Sequence, residues 1–135
     1  MEIRQGIDMT SVRRIQKAIQ RRGRFFLNRV FTLSEQAYCG SKRMKYEHYA
    51  ARFAAKEAAI KAFKIKKCVG LAGFAGLAGL AMRDIEIRRK PTGRPFIYLA
   101  QKVRKRFQIP GNCRIELSMT HEREYAIATV LLVLP

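Results

Sequence analysis

Apolar residues alternate with polar ones in several short stretches, and this spacing predicts strands. Alternation is clearest over 84–89 and 114–120, while a first strand is predicted over 1–7 and a returning strand over 96–99. The stretch Tyr125–Leu134 is apolar at almost every position. Such a run is typical of a central strand that is buried on both faces, or of a strand at an oligomer interface.

Capping residues mark the starts of two helices. Thr10 or Ser11 can cap a first helix that ends near residue 22. Thr32 and Glu35 fit the capping box of a short second helix.

The longest predicted helix follows, from about residue 41 to about residue 64. Its second half, 52–63, is rich in alanine, lysine and glutamate and contains neither glycine nor proline, which strongly favours a helix. A last, short basic helix is predicted over 100–107. Helices placed between strand pairs, with antiparallel hairpins at the end, predict an α+β domain.

Two features indicate that the backbone can be approached closely. Gly6 interrupts the side-chain pattern of the first strand and can allow a close backbone approach there. Ala54, Ala58 and Ala62 form a smooth stripe along the long helix, which lets another element pack against it.

Composition and charge restrict the kind of protein. The 135 residues suit one domain, 1–135, and 48 % of them are hydrophobic, which is enough for a core. Basic residues outnumber acidic ones by 28 to 10, a formal net charge of +18. This imbalance predicts an acidic partner: a nucleic acid, an anionic membrane, a phosphorylated small molecule or an acidic protein.

The cysteines and the N-terminus indicate the location. Three cysteines without CxxC spacing, and an N-terminus without an apolar signal region, predict a cytoplasmic protein whose cysteines are reduced.

The segment 70–81 consists of four triplets, three of them Gly-Leu-Ala and one Gly-Phe-Ala. The uncharged run that contains it, 68–82, has 15 residues. Because about 20 residues are needed to span a bilayer, we predict no stable membrane insertion. We interpret the segment as an apolar loop that covers another part of the protein. An interface or lipid-facing element is the alternative.

Three polar residues are candidates for chemistry. Asp8 is expected at the end of the first strand, Glu57 in the middle of the long helix and His121 at the tip of the last hairpin. Two carboxylates can hold a hard cation such as Mg²⁺ or Mn²⁺ beside phosphate oxygens and water. Lys61 shares a helix face with Glu57, although these two residues alone could equally form an ordinary surface pair.

The first helix carries an unusual excess of positive charge. Between Thr10 and Arg24 there are six cations and no acid, whereas solvated faces normally mix both signs. The cations are Arg13, Arg14, Lys17, Arg21, Arg22 and Arg24.

Four segments resemble, in order and in spacing, the signatures of the bacterial holo-acyl-carrier-protein synthases, which are short single-domain 4′-phosphopantetheinyl transferases. They are Gly6-Ile7-Asp8 followed by Arg14; Arg52-Phe53-Ala54-Ala55-Lys56-Glu57-Ala58-Ala59-Ile60-Lys61-Ala62-Phe63; Asp84-Ile85-Glu86-Ile87 with Gly93-Arg94-Pro95; and Ser118-Met119-Thr120-His121-Glu122 with Tyr125-Ala126. The chain departs from the family pattern in two places. The segment 70–81 replaces a shorter, more polar loop, and Arg94 stands where lysine is commoner.

The resemblance implies the 4′-phosphopantetheinyl transferase fold, an antiparallel sheet packed against a long helix. It implies a magnesium-dependent enzyme that transfers phosphopantetheine from coenzyme A to a serine of apo-acyl carrier protein, in support of fatty acid biosynthesis. Asp8 and Glu57 would hold Mg²⁺ against the coenzyme A pyrophosphate. Glu57 would accept the serine proton, directly or through a water, and Lys61 would neutralise or protonate the leaving phosphate.

The resemblance also implies binding residues and an assembly. The implied coenzyme A contacts are Arg52, Lys56 and Lys61. The resemblance places Gly93, Arg94 and Pro95 at the adenine end, and it places Thr120 and His121 near the nucleotide phosphates. Those for the acidic carrier protein are Arg14, Lys17, Arg21, Arg24 and Phe25 on the first helix. The usual state of the family is a homotrimer with active sites at subunit interfaces.

Two other functions account for part of the sequence. A basic nucleic-acid-binding module without catalysis explains the charge, but it leaves Asp8 and Glu57 without a role, and no nucleic-acid-binding motif is recognisable. A ribosome- or membrane-associated structural protein explains the charge and the segment 70–81. The transferase accounts for the most features, so we predict no nucleic-acid partner.

Overall fold

The computed structural model describes residues 1–65 and 82–135, so the predicted loop 70–81 lies outside the described residues. The strands are β1 (Glu2–Ser11), β2 (Ile85–Arg89), β3 (Pro95–Leu99), β4 (Arg114–His121) and β5 (Tyr125–Leu134). The helices are α1 (Val12–Arg22), α2 (Arg24–Val30), α3 (Leu33–Gly40), α4 (Lys45–Ala62) and α5 (Gln101–Arg106). A 3₁₀ turn, Met82–Asp84, leads into β2.

The strands form two antiparallel sheets beside the long helix. β5 lies between β1 and β4 in a three-stranded sheet, and β2 pairs with β3 in a second sheet. α4 packs against β1 and β5 and also contacts β4 and β2. The predicted α+β class, with an antiparallel sheet against a long helix, is therefore confirmed. Among the helices of the described ranges, none combines the length and hydropathy that a membrane crossing requires.

The central position of β5 agrees with its apolar sequence, but its burial within one chain is one-sided. Ala126, Ala128 and Val130 belong to the buried core. Leu131, on the opposite face, is 37 % exposed. The expectation of a strand buried on both faces does not hold within a single chain. The alternative expectation, a strand at an oligomer interface, stays a prediction.

β1 crosses α4 at Gly6 with no room for a side chain. A Cβ atom on Gly6 would lie 1.9 Å from the carbonyl oxygen of Ala58 and 2.9 Å from the amide nitrogen of Ala62. Ala54, Ala58 and Ala62 are all fully buried. The predicted close approach at Gly6 and the predicted packing of the alanine stripe are both confirmed. They are the same contact, because Gly6 packs against Ala58 and Ala62 of the stripe.

β1 is longer than predicted, so Asp8 lies within the strand and not at its end. Pairing with β5 continues as far as Ser11, which lies opposite Tyr125. Ser11 Oγ then accepts a hydrogen bond from the amide of Arg14 at 3.3 Å and caps α1. Of the two predicted capping residues, Thr10 and Ser11, the cap is Ser11. The predicted end of the strand was wrong, because pairing with β5 extends up to this cap.

Helix α2 is absent from the sequence prediction. Gly23 ends α1 with φ at +51°, a value that glycine adopts readily, and the chain then re-enters a helix. α2 has seven residues and no side-chain cap at its start, so no local signal marks it. The capping box of Thr32 and Glu35 at the start of α3, in contrast, is confirmed.

The contact at Gly6 can be tested by adding one methyl group. We expect Gly6→Ala to destabilise the fold by about 3 kcal/mol or to prevent folding, because the methyl would overlap backbone atoms of α4. Gly111→Ala is the matched control, since within residues 1–65 and 82–135 no atom beyond its chain neighbours lies within 4 Å of the Cβ position there, and it should change stability by no more than about 0.5 kcal/mol. Urea unfolding of both variants measures the difference. Equal stabilities would contradict the close approach.

Candidate active site

Asp8 is held at the crossing of β1 and α4. It lies two residues after Gly6, on the same face of β1, and Thr10 Oγ1 donates a hydrogen bond to its Oδ2 at 2.7 Å. Lys61 Nζ donates to the carbonyl oxygen of Ile7 at 2.7 Å and lies 3.4 Å from Asp8 Oδ1. One strand carboxylate and one helix ammonium therefore meet in a partly exposed position.

Glu57 joins this group through the geometry of α4. It precedes Lys61 by one helical turn and shares its face, and it is partly buried. Lys61 therefore links the two carboxylates: it contacts Asp8 on β1, and it follows Glu57 by one turn on α4. Two carboxylates on separate elements fit a hard divalent cation that completes its shell with substrate oxygens and water. Within residues 1–65 and 82–135, no cluster of three or more histidine, cysteine, aspartate or glutamate residues forms a denser metal site.

Arg52 occupies a buried position with unused hydrogen-bonding capacity. Its side chain is 2 % exposed, and its Nε and Nη1 atoms have no hydrogen-bond partner among the described residues. The guanidinium stacks over the ring of Tyr38 at 4.1 Å, and Lys42 and Arg89 approach the same ring at 4.7 and 5.0 Å. Three cations around one aromatic ring form a site suited to an anion.

His121 is the last residue of β4, at the hairpin tip as predicted. Its Nδ1 lies 3.0 Å from Glu47 Oε1, and its ring meets the ring of His48 edge to face, with centroids 4.8 Å apart. Burial, followed by electrostatic interactions with His121 and Arg52, lowers the pKa of His48. Thr120, its neighbour in β4, is exposed.

Asp8 and His121 lie at opposite edges of the three-stranded sheet. Asp8 is on β1 and His121 is on β4, with β5 between them, and both side chains lie on the face that carries α4. Two strand spacings separate β1 from β4 by about 10 Å. One chain therefore presents an acidic group around Asp8 and a cationic group around Arg52 and His121.

Sequence reasoning missed several residues in and around the cationic group. They are Tyr38, Lys42, Glu47, His48 and Arg89. The signal available for the cations was the general excess of positive charge, which does not say which side chains converge. Their convergence depends on the packing of α3, α4 and β2.

Lys56 does not lie where the predicted phosphate contact requires it. Its side chain is fully buried, and Nζ donates to Glu35 Oε1 at 2.9 Å and to the carbonyl oxygens of Met82 and Ile85 at 3.2 and 2.7 Å. Glu35 in turn accepts hydrogen bonds from the amides of Thr32 and Ile87. Burial lowers the pKa of Lys56, and the charge of Glu35 opposes that shift. The position argues against a phosphate contact, and we assign Lys56 to the core.

Gly93 and Arg94 lie in the turn between β2 and β3, and Pro95 is the first residue of β3. Gly93 has φ at +88°, and the Arg94 guanidinium lies 2.8 Å from Glu116 Oε2. The hairpin that contains them forms the two-stranded sheet, which is separate from the sheet that carries Asp8. Their predicted contact with adenine stays a prediction.

The predicted docking surface faces solvent, but it is not confined to the first helix, because Gly23 ends α1 and Arg24 and Phe25 begin α2. All its cations are exposed, and so is Phe25 at the start of α2, which is 62 % exposed. The apolar side of α1 is buried through Val12 and Ile15. The helix therefore packs on one side and leaves its cations available on the other.

Comparison with known proteins identifies the class. Residues 4–130 match the 4′-phosphopantetheinyl transferase superfamily, and the chain belongs to that superfamily. Its curated relatives include holo-[acyl-carrier-protein] synthases. That of Ruminiclostridium cellulolyticum is 40 % identical over 135 residues, covering 99 % of this chain and 94 % of the relative. That of Koribacter versatilis is 42 % identical over 127 residues, covering 94 % of both chains.

Solved structures agree with this assignment. The Helicobacter pylori holo-[acyl-carrier-protein] synthase in complex with coenzyme A has a TM-score of 0.75 and 31 % identity, covering 95 % of this chain and 98 % of the other. The coenzyme A complex of the synthase from Chronobacterium ammoniagenes has a TM-score of 0.81 and 26 % identity, covering 100 % and 99 % of the two chains. The predicted family and fold are therefore confirmed.

The core assignment of Lys56 predicts a large loss of stability on substitution. We expect Lys56→Met to lower the free energy of unfolding by about 3–5 kcal/mol, because it leaves the Glu35 carboxylate buried without its partner. Lys64→Met is the control, since Lys64 is exposed and lies 3.6 Å from the exposed Glu2, and it should cost less than about 1 kcal/mol. Urea unfolding measures both values. If Lys56→Met kept full stability but lost coenzyme A affinity, the core assignment would be wrong.

Proposed function

We propose that this protein transfers the 4′-phosphopantetheine group of coenzyme A to a serine of apo-acyl carrier protein and releases adenosine 3′,5′-bisphosphate. We further propose that this reaction supports fatty acid biosynthesis in the cytoplasm. The observation that carries the proposal is the group formed by Asp8, Glu57 and Lys61 at the contact between β1 and α4. These residues lie in two motifs of a family whose members include synthases solved with coenzyme A.

The chemistry required of this group follows from the reaction. A bond forms between the serine oxygen and the β-phosphorus of coenzyme A, and the bond from that phosphorus to the bridging oxygen breaks. Both partners carry or develop negative charge, so positioning and electrostatic stabilisation supply most of the catalysis. Glu57 is the proposed acceptor of the serine proton, and Lys61 is the proposed cation beside the leaving phosphate.

Asp8 and Glu57 are the proposed ligands of Mg²⁺. The ion, when bound, would neutralise charge on the coenzyme A pyrophosphate. The oxygen-only donor set supports this choice, because Mg²⁺ in proteins commonly takes one or two carboxylates together with substrate phosphates. The hydrogen bond from Thr10 and the contact with Lys61 hold the Asp8 carboxylate on the helix side of the sheet.

The cationic group is the proposed site for the nucleotide phosphates. Arg52 has two buried nitrogens without a partner in the described part of the chain, and Lys42 and Arg89 add charge around the same ring. Buried guanidinium nitrogens without a hydrogen-bond partner are costly, and an anionic ligand would satisfy them. His121 is proposed as a further phosphate contact beside this group, and Thr120 as its neighbour.

The carrier protein is proposed to dock on α1 and the start of α2. Arg14, Lys17, Arg21 and Arg24 are exposed, and Phe25 gives an apolar contact at the end of the basic surface. Because exposed charges act over about one Debye length, ~8 Å at physiological salt, this surface would steer association in a salt-dependent way.

A homotrimer is the proposed assembly, with active sites at subunit interfaces. On the face of the three-stranded sheet opposite α4, β1 and β5 expose the apolar side chains of Ile3, Ile7, Met9 and Leu131. Apolar patches of this kind typically mark protein interfaces.

Sedimentation velocity should give three times the chain mass of 15.6 kDa, and a monomer would contradict the proposal.

Catalysis can be tested on the carrier protein itself. Apo-acyl carrier protein incubated with this protein, coenzyme A and Mg²⁺ should gain one phosphopantetheine by mass spectrometry, and EDTA should prevent the gain. We expect Asp8→Asn and Glu57→Gln to reduce turnover by about 10²-fold or more while leaving the fold intact. The control Glu124→Gln removes an exposed carboxylate and should retain activity. Near-normal turnover of the first two variants would exclude the proposed site, and tight nucleic-acid binding without turnover would favour a binding module.

The docking surface can be tested by charge reversal. Arg14→Glu combined with Arg24→Glu should raise the KM for the carrier protein at least about tenfold, with little change in the KM for coenzyme A. Lys102→Glu combined with Lys105→Glu is the control, because it makes the same change in net charge on the exposed surface of α5. A similar increase for both double variants would mean that total charge matters and that α1 with the start of α2 is not the docking surface.

A further inference from the structure

Glu47 is a buried carboxylate without a role in the reaction described so far. It lies in the first turn of α4 and is 8 % exposed. Its Oε1 lies 3.0 Å from His121 Nδ1, so it joins the start of the long helix to the end of β4. These residues are 74 positions apart in the chain, and only the folded structure brings them together.

The chemistry of this contact constrains the histidine. An ionised carboxylate can only accept hydrogen bonds, so a bond to it requires hydrogen on Nδ1. Nε2 is then the nitrogen of the His121 ring that remains available to another group. The His121 side chain is also more exposed than that of Glu47, so the contact is open to solvent on the histidine side.

The surroundings hold the ring from a second direction. The His48 ring meets the His121 ring edge to face, and Tyr38 meets His48 in the same way. The charged groups that act on His48 are Arg52 on the same helix, Lys42 before it and Arg89 on β2. All three are cations, so Glu47 is the acid in contact with this pair of rings among the described residues.

We propose that Glu47 is a positioning residue for His121. It holds the imidazole with hydrogen on Nδ1 and leaves Nε2 to contact an anionic group of the substrate. A carboxylate that fixes a histidine tautomer in this way is a common arrangement where the second nitrogen binds a ligand. The identity of the substrate rests on the proposed function, whereas the tautomer does not.

The tautomer can be measured directly on the full chain. The chain contains two histidines, 48 and 121, so a ¹⁵N-labelled sample gives few imidazole signals, and His48→Gln assigns them. A long-range ¹H–¹⁵N correlation spectrum at about pH 8.5, well above the ordinary histidine pKa of ~6.5, reports which nitrogen carries hydrogen. We expect Nδ1–H for His121 in the wild-type protein and in the control Glu124→Gln. Hydrogen on Nε2 of wild-type His121 would overturn the proposal without any further variant.

Two variants of Glu47 separate positioning from general stability. Glu47→Gln keeps an oxygen that can accept from Nδ1–H, and we expect the wild-type tautomer to persist. Glu47→Ala removes the acceptor, and we expect the hydrogen to move largely to Nε2. An unchanged tautomer in Glu47→Ala would overturn the proposal. If Glu47→Ala does not fold, the test rests on Glu47→Gln. Loss of the Nδ1–H form of His121 in the folded Glu47→Gln protein would then overturn the proposal.

Kinetics provides an independent measure. Glu47→Ala should raise the KM for coenzyme A roughly tenfold or more, with the carrier protein KM unchanged, and Glu47→Gln should recover most of the loss. In a His121→Ala background, Glu47→Ala should have no further effect, because a positioning residue acts through its partner. An equal loss with and without His121 would overturn the proposal. Absence of turnover in the wild-type protein would instead reject the proposed function, and the spectra would still decide the tautomer.

Discussion

The rest of the candidate active site depends on the contact between Gly6 of β1 and Ala58 of α4. Because a Cβ atom at Gly6 would lie 1.9 Å from a backbone oxygen, the strand lies directly against the helix. The next residue on the same strand face is Asp8, and the helix residues on either side of Ala58 include Glu57 and Lys61. A close approach of two backbones therefore places a strand carboxylate beside a helix ammonium. Any larger residue at Gly6 would separate the elements that share the site.

Among the residues that the structure describes, positive charge lies in three environments, and each has a different physical consequence. Lys56 is buried but fully satisfied by Glu35 and two carbonyl oxygens, so it contributes to the core. Arg52 is equally buried but keeps two nitrogens without partners in the described residues, which leaves a desolvation cost. The cations of α1 remain in water, where they cost little and act at long range. Formal charge alone does not separate these cases. The environment of Lys56 supports a structural role, that of Arg52 supports a ligand site, and that of the α1 cations supports a docking surface.

Local signals predicted a large part of the fold. The composition of 52–63, the capping box of Thr32 and Glu35 and the alternation in β2 and β4 each depend on residues that are close in the chain, and each was confirmed. Predictions were wrong or missing where the deciding partner is distant. Pairing with β5 extends β1 beyond Asp8, and the short helix α2 has no cap of its own and is held by packing.

The sequence by itself determined the family, because its motifs keep their order and spacing, and it determined that Gly6 and the alanine stripe permit close packing. It also placed Asp8, Glu57, Lys61 and His121 among the candidate residues. Only the tertiary structure decided that Lys56 is a core residue and that Arg52 lies beside Tyr38 within a group of cations. It alone paired Glu47 with His121. The physical reason is that burial and hydrogen bonding are properties of the surroundings of a side chain, and those surroundings come from elements that lie far apart in the chain.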